Sequence, residues 1–308
     1  MTHYKMELHL AKELVKVATE ITEWFRKEGF ESFQKKDDTP VTLADYASQL
    51  FIINQIREEF PNDQLIAEES FSSFINKSAQ KAIAKCYDSL ELQLPTQIEK
   101  VLNYRGSLSP RQWTIDPIDG TKGFQENLSY AVGIGFMIDS VLMVAAIGIP
   151  NYNTSETAIF IAEKNQGTKI SYEGINYINT HVSNTKEIMQ AKMCHSLHYD
   201  KPWEMEFAKE AKIKNFIQID SMAKFCMIAD GTADIYIKPM DKARSFSWDF
   251  LPGALIVKEA GGIVSDLNGN DLVFEKEKCL ITAPGLIASN AFLHEQVLKY
   301  FKKHQIST

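Results

Sequence analysis

Cysteine is scarce in this chain. Only Cys86, Cys194, Cys226 and Cys279 occur among 308 residues, far apart and with no CxxC pair. That spacing argues against a disulfide framework or a thiolate zinc site and leaves buried, reduced thiols as the reading. Basic residues are in the minority as well. With 33 Lys and Arg against 40 Asp and Glu, the net charge is −7, so no general affinity for nucleic acid or an anionic membrane is implied. No uninterrupted apolar run reaches the ~18 residues of a membrane span, and the first ten residues have no apolar signal core. A soluble, cytoplasmic chain is the expectation. Repeats and low-complexity linkers are also lacking. What is present is core-forming material: 44% of residues are hydrophobic, enough for one large domain or two ordinary ones. An acidic chain that handles an anionic substrate must gather Lys, Arg or metal ions at the site.

Leu10, Leu14, Val17, Ala18, Ile21, Trp24 and Phe25 recur at helical spacing, with Gly29 as a stop. A polar loop, QKKDDTP at 34–40, precedes a second helix expected over 43–60. Leu43, Tyr46, Leu50 and Ile53 lie on its inner face, and Pro61 stands just beyond its end. A short apolar strand at 65–67 runs into Glu68-Glu69-Ser70. The polar segment 71–110 reads as partly helical near 76–88 and 96–103, a lid or an insertion. Apolar runs at 131–137, 141–149 and 157–163 read as an antiparallel meander, with short strands around 168–178. From about 180 the pattern becomes mixed. Strands are expected at 192–196, 217–220, 234–238, 263–266 and 279–282, and helices at 201–212, 222–230, 250–260 and 290–303. Two abutting subdomains of α/β and α+β class, 1–180 and 181–308, fit this order.

The most informative stretch is RQWTIDPIDGTKGF at 111–124. Its strand should end at Asp116, because Pro117 fixes its own φ and disfavours helix in the residue before it. Gly120 permits close backbone approach to a ligand, and a helix starting near it would offer free N–H groups to a phosphate. Two carboxylates beside a phosphate repel it unless cations intervene. The other candidate carboxylates are Asp45, Glu68, Glu69 and Asp249. Each has a plainer reading. Thr42 and Asp45 suit a capping box, Glu68-Glu69 suits solvated charge, Asp249 suits an N-cap ahead of Pro252, and Asp116 and Asp119 suit turns. Most of them, however, fall where a strand ends or a helix begins, and such ends converge on ligands in α/β proteins. Oxygen ligands without a His or Cys cluster suit Mg²⁺ or Mn²⁺. The Thr121 hydroxyl lies within a residue or two of these ligands, placed to orient water with a carboxylate partner.

With AEES at 67–70, WTIDPIDGTKGF at 113–124 and WDFLPGALIVKEAGG at 248–262, the chain resembles the lithium-sensitive, magnesium-dependent phosphatases related to inositol monophosphatase. Within that family, QKKDDTPVTLADYASQ at 34–49, Lys122, IGIPNYN at 147–153 and DSMAKFCMIADGTADIYIK at 220–238 most resemble the 3′(2′),5′-bisphosphate nucleotidases of salt-tolerance type. The resemblance implies a layered αβαβα sandwich, the sugar-phosphatase fold, in a monomer or homodimer. It implies that Glu68, Asp116 and the Ile118 carbonyl hold one Mg²⁺, that Asp116, Asp119 and Asp249 hold a second, and that Glu68 helps to hold a third. It makes Asp45 and Thr121 the pair that activates water, and gives the scissile phosphate to the Gly120 and Thr121 N–H groups. His195, Ser221, Lys224 and Lys238 fall at substrate positions. Lys238 stands where the family often has Arg, and KARSFS at 242–247 departs from the usual pattern, leaving Arg244 as a replacement. The implied reaction is loss of the 3′-phosphate from adenosine 3′,5′-bisphosphate. The alternatives are the same chemistry on inositol monophosphate or histidinol phosphate, or a catalytically silent nucleotide- or metal-binding relative.

Overall fold

A computed structural model describes residues 4–35, 39–72, 74–153, 156–172, 174–198, 202–240, 245–275, 280–281 and 283–304. The first half opens with helix α1 (Lys5–Glu28), the hairpin β1 (Ser32–Gln34) and β2 (Pro40–Thr42), and α2 (Leu43–Glu59). Next come β3 (Gln64–Ala67), α3 (Lys77–Ser89), α4 (Ile98–Leu102), β4 (Arg111–Asp119) and the five-residue α5 (Thr121–Gln125). The meander β5 (Ala131–Ile138), β6 (Val141–Ile149), β7 (Ala158–Glu163), β8 (Thr168–Tyr172) and β9 (Ile178–Thr180) completes a seven-stranded sheet in the order β3-β4-β5-β6-β7-β8-β9. Only β3 and β4 run parallel in it.

The second half contains β10 (Lys192–His195), α6 (Pro202–Glu210), β11 (Asn215–Gln218), α7 (Ala223–Ala229), β12 (Ile235–Pro239), α8 (Ser247–Glu259) and β13 (Gly262–Asp266). A two-stranded ribbon, β14 (Phe274–Glu275) and β15 (Leu280–Ile281), precedes β16 (Gly285–Asn290) and α9 (His294–His304). Its five-stranded sheet has the order β11-β10-β12-β16-β13.

Among the described residues, strand alternation sorts the side chains into three large cores, beside a small cluster of Ile66, Met137 and Trp248, and the large cores define the layers. Val132, Ile134, Phe136, Val144 and Ala146 face α1 and α2 in the first core. Ala131, Ala145, Ile147 and Ile149 point the other way, onto α7 and α8, and meet Tyr236, Leu286 and Ala288 of the second sheet there. Ile235, Ile237 and Ile287, one position along, face α6 and α9 in the third core. The result is helices, sheet, helices, sheet, helices: the αβαβα sandwich. Both sheets are covered on both faces, so β5, β7 and β16 are buried along most of their length.

Four expectations are corrected. β4 does not stop at Asp116 but continues to Asp119, with a register shift against β5 between the two aspartates. β3 pairs with β4 only as far as Ala67 opposite Ile115, so Pro117 lies where no partner needs its missing N–H. Helix α8 begins at Ser247, three residues before the expected start. Asp249 therefore lies in its first turn rather than at its N-cap, which is Phe246, and Pro252 lies inside the helix. β11 is shifted two residues towards the N-terminus, to 215–218. β16, the strand between β12 and β13, went unread, and the helix expected at 290–303 accordingly begins only at His294. Cys86, Cys194 and Cys226 are buried and unbridged; Cys279 and Arg244 lie outside the described residues.

Candidate metal and phosphate site

Because β3 and β4 are parallel neighbours, their C-terminal ends open on the same edge. β3 leads into Glu68 and Glu69, and β4 carries Asp116 and Asp119. The start of α2 brings Asp45, and the first turn of α8 brings Asp249 from the other half of the molecule. Asp116, Asp119 and Asp249 each offer a carboxylate oxygen, and these atoms lie within 4.8 Å of one another. Asp116 Oδ1 accepts the Ile118 N–H at 3.1 Å, and Asp119 Oδ2 accepts the Met222 N–H.

Like charges held this close resist ionisation together. Burial, then the charges of Glu68, Asp119 and Asp249, push Asp116 well above the usual carboxylate range. Burial and Asp119 do the same to Asp249. Asp119 is raised to about 6 by burial, against the lowering effect of Lys224, the Met222 N–H and Lys238. A set of three carboxylates without His or Cys, strained by its own charge, fits a small hard dication.

Glu68 borders this trio but is engaged elsewhere. Lys35, at the tip of the β1–β2 hairpin, donates to Glu68 Oε1 at 2.9 Å and also to Glu69 Oε1. Burial opposes its charge, but the two carboxylates outweigh that and raise its pKa. Glu69 is held through its backbone. Gln49 Nε2 donates to its carbonyl at 2.7 Å and Gln49 Oε1 accepts its N–H at 2.8 Å. Arg105, from the 71–110 segment, donates to the same carbonyl at 2.6 Å. That segment thus braces the Glu68–Glu69 turn. Lys35, Gln49 and Arg105 escaped sequence reading, since each acts on a turn remote in the chain.

Asp45 closes a cap and also faces Thr121. Its Oδ2 accepts the Thr42 N–H and hydroxyl, each at 2.7 Å, which closes the capping box on α2. Its Oδ1 faces the Thr121 hydroxyl at 3.4 Å. Thr121 Oγ1 lies 3.1 Å from the Ile118 carbonyl, the same carbonyl expected to ligate metal. Burial and the charge of Glu68, partly offset by Thr42, raise Asp45 to about 7. Gly120 caps α5 with φ +87, a left-handed conformation that suits Gly. A Cβ there would stand 3.1 Å from that of Ser221.

Ser221 thus meets the Gly120 turn across the junction of the two halves, itself at φ +71. Lys224 is buried, donates to the Ile219 carbonyl at 3.1 Å and lies over the Tyr236 ring. Burial, then the charge of Lys238, lower its pKa to about 8. Lys238 sits near the end of β12, and its charge reaches both Asp119 and Asp249. His195 ends β10 and packs edge-on against Phe216. His198, unread from sequence, lies between Asp220 and Glu126. Asp220 also accepts the Ser196 hydroxyl at 2.6 Å and the Leu197 N–H at 2.9 Å. Burial works against its ionisation, yet Ser196, Lys224 and His198 hold it below the usual range.

A family model described as the inositol monophosphatase family matches residues 4–305. The chain belongs to the inositol monophosphatase family. Among curated relatives, a 3′(2′),5′-bisphosphate nucleotidase of Emericella nidulans is 30% identical, covering 97% of this chain and 98% of its own. The 3′,5′-bisphosphate nucleotidase 2 of Arabidopsis thaliana is 31% identical, covering 96% of each. Among solved structures of the family, an IMPase of Thermotoga maritima superposes with TM-score 0.71 at 19% identity, over 98% of this chain and 99% of that one. An inositol monophosphatase from Anabaena gives 0.68 at 19%, over 98% and 97%. Among the described residues, no helix is long and apolar enough to cross a membrane.

Proposed function

We propose that this protein is a Mg²⁺-dependent phosphatase that removes the 3′-phosphate of adenosine 3′,5′-bisphosphate, giving AMP and phosphate in the cytoplasm. Its role there is to clear a by-product of sulfate-donor metabolism. The observation that carries the chemistry is the cluster of Asp116, Asp119 and Asp249 oxygens within 4.8 Å, beside the Thr121–Asp45 pair. The nucleotide reading draws on the names of the curated relatives and on two lysines, Lys224 and Lys238, at the side of the cleft where a second phosphate needs positive charge.

Two or three Mg²⁺ ions fit the reading: Asp116, Asp119 and Asp249 would hold one, Asp116, Glu68 and the Ile118 carbonyl another, and Glu68, on exchanging Lys35 for metal, would help to hold a third. When bound, they supply positive charge to the phosphoryl oxygens and acidify the water that attacks. The chain does the rest. The Thr121 hydroxyl accepts a hydrogen bond from that water and points its own proton towards Asp45. Asp45 takes the proton; a carboxylate raised to about 7 is a stronger base than an exposed one, and about half of it is ionised at neutral pH. The N–H groups of Gly120 and Thr121 hold the scissile phosphate in line. Ser221, Lys224 and Lys238 hold the other phosphate and the ribose side, with His195 as a further substrate contact. Lys238 offers a point charge where Arg would offer a fork.

Asp116→Asn tests the metal chemistry. It should abolish phosphate release while circular dichroism and thermal unfolding report a folded protein. Normal turnover of that variant at saturating Mg²⁺ would rule the assignment out.

A further inference from the structure

We propose that His198 is a positioning residue of the substrate cleft: by joining Asp220 to Glu126 it holds the 219–222 turn, and with it Ser221, against the helix that follows Gly120. This rests on the phosphatase reading above and assigns a residue to its substrate side. Glu126 caps the C-terminus of α5, the helix that begins at Thr121. His198 follows β10, and Asp220 follows β11. The imidazole therefore ties the phosphate helix of the first half to two loops of the second. Its Nδ1 meets Asp220 Oδ2, and its Nε2 lies 3.1 Å from Glu126 Oε2. The inner arm is shielded, with the side chains of His198 and Asp220 only 13% and 6% exposed, whereas Glu126 is 47% exposed.

The turn needs such a fixture. Ser221 is a non-glycine residue in the left-handed region, a conformation that persists only where its flanks dictate it. The downstream flank is secure. The Met222 N–H is bound by Asp119, and the Met222 side chain fills the space over Gly133, where an added Cβ would stand 2.4 Å from its sulfur. The upstream flank consists of Asp220 with its ties to Ser196, Leu197 and His198, together with the Ile219 carbonyl held by Lys224 and the Ile219 N–H on the His195 carbonyl. Of these, His198 reaches across to α5, through Glu126. Loosening it frees Ser221 while leaving Met222, and hence Asp119, in place. Substrate affinity should suffer and the metal site should not.

The test is steady-state kinetics of the full chain with adenosine 3′,5′-bisphosphate, alongside Mg²⁺-induced thermal shifts. His198→Ala should raise KM about tenfold, change kcat less than threefold and leave the Mg²⁺ shift intact. His198→Asn, whose amide can still donate to Asp220 but falls short of Glu126, should recover only part of the loss, to about the KM of Glu126→Ala. Glu126→Ala cuts only the half-exposed arm, so it stays informative if His198→Ala fails to fold; it should raise KM severalfold. Unchanged KM in His198→Ala, or in Glu126→Ala, would overturn the proposal, as would loss of the Mg²⁺ shift together with kcat. If the wild type prefers another phosphate monoester, the nucleotide reading fails alone, and the same comparison on that substrate decides the role of His198.

Discussion

Asp45 spends one oxygen on Thr42 and the other on Thr121, so one carboxylate serves both the cap and the proposed water-activating pair. Thr121→Ala should lower kcat by roughly 10²–10⁴, the usual worth of a positioned acid–base group, with little change in Mg²⁺-induced stabilisation. A loss under threefold would remove Thr121 from the proton path. The same carboxylates link stability to pH. Asp45 and Asp119 stand at about 7 and about 6 in the folded protein against an ordinary 3.8. The folded chain therefore holds more protons than the unfolded chain across that window. Their favourable contribution is present in acid and is lost as pH rises through 6 and 7. A dication that binds only the ionised set reverses the trend. Addition of Mg²⁺ should thus raise Tm more at pH 8 than at pH 5, by differential scanning fluorimetry. Equal shifts at both would contradict the picture. At this scale the sequence was readable where chemistry is concentrated. Asp116, Asp119, Gly120 and Thr121 fall within six residues, and Asp45 sits in a recognisable cap. Lys35 and His198 were not readable, because each is an ordinary polar residue in a polar stretch whose partners lie 33 and 72 positions away.

Elements were legible where periodicity was strong and failed where neighbours decide. The long helix α1 and the meander from β5 to β7 follow from their apolar spacing alone. Pro117 misled because its usual penalty applies only to a paired strand, and β4 is unpaired on the β3 side beyond Ile115 and out of register with β5 beyond Asp116. β16 reads GLIASN, poor in the β-branched residues that mark strands; only its place between β12 and β13 makes it one. The glycines of β5 have a similar hidden reason. Gly133 gives up its side chain so that Met222 can lie over the strand. Gly133→Ala should therefore cost about 1–3 kcal/mol by overpacking, read by urea unfolding, and should weaken Mg²⁺ binding through the Met222–Asp119 contact. A neutral substitution would mean that Met222 is not confined there.

At the scale of the whole molecule, the site exists only because two sheets share a helical layer. β3 and β4 present one half of the carboxylates on a single edge, and α8, buried in the shared core, swings Asp249 onto the other half. In the proposed function the first half supplies the water-activating pair and most metal ligands, and the second supplies Asp249 and the substrate side of Ser221, Lys224 and Lys238. On that reading catalysis and substrate choice sit on different parts of the chain, and the motif at 113–124 names the reaction more sharply than the substrate. The direct test is phosphate release from adenosine 3′,5′-bisphosphate, inositol monophosphate and histidinol phosphate, each with Mg²⁺ and again with Li⁺ added. At least a hundredfold higher kcat/KM for the nucleotide is predicted, corresponding to ~2.7 kcal/mol of transition-state discrimination, with turnover abolished when Mg²⁺ is chelated. Equal or greater activity on inositol monophosphate, or release that persists without a divalent cation, would contradict the account.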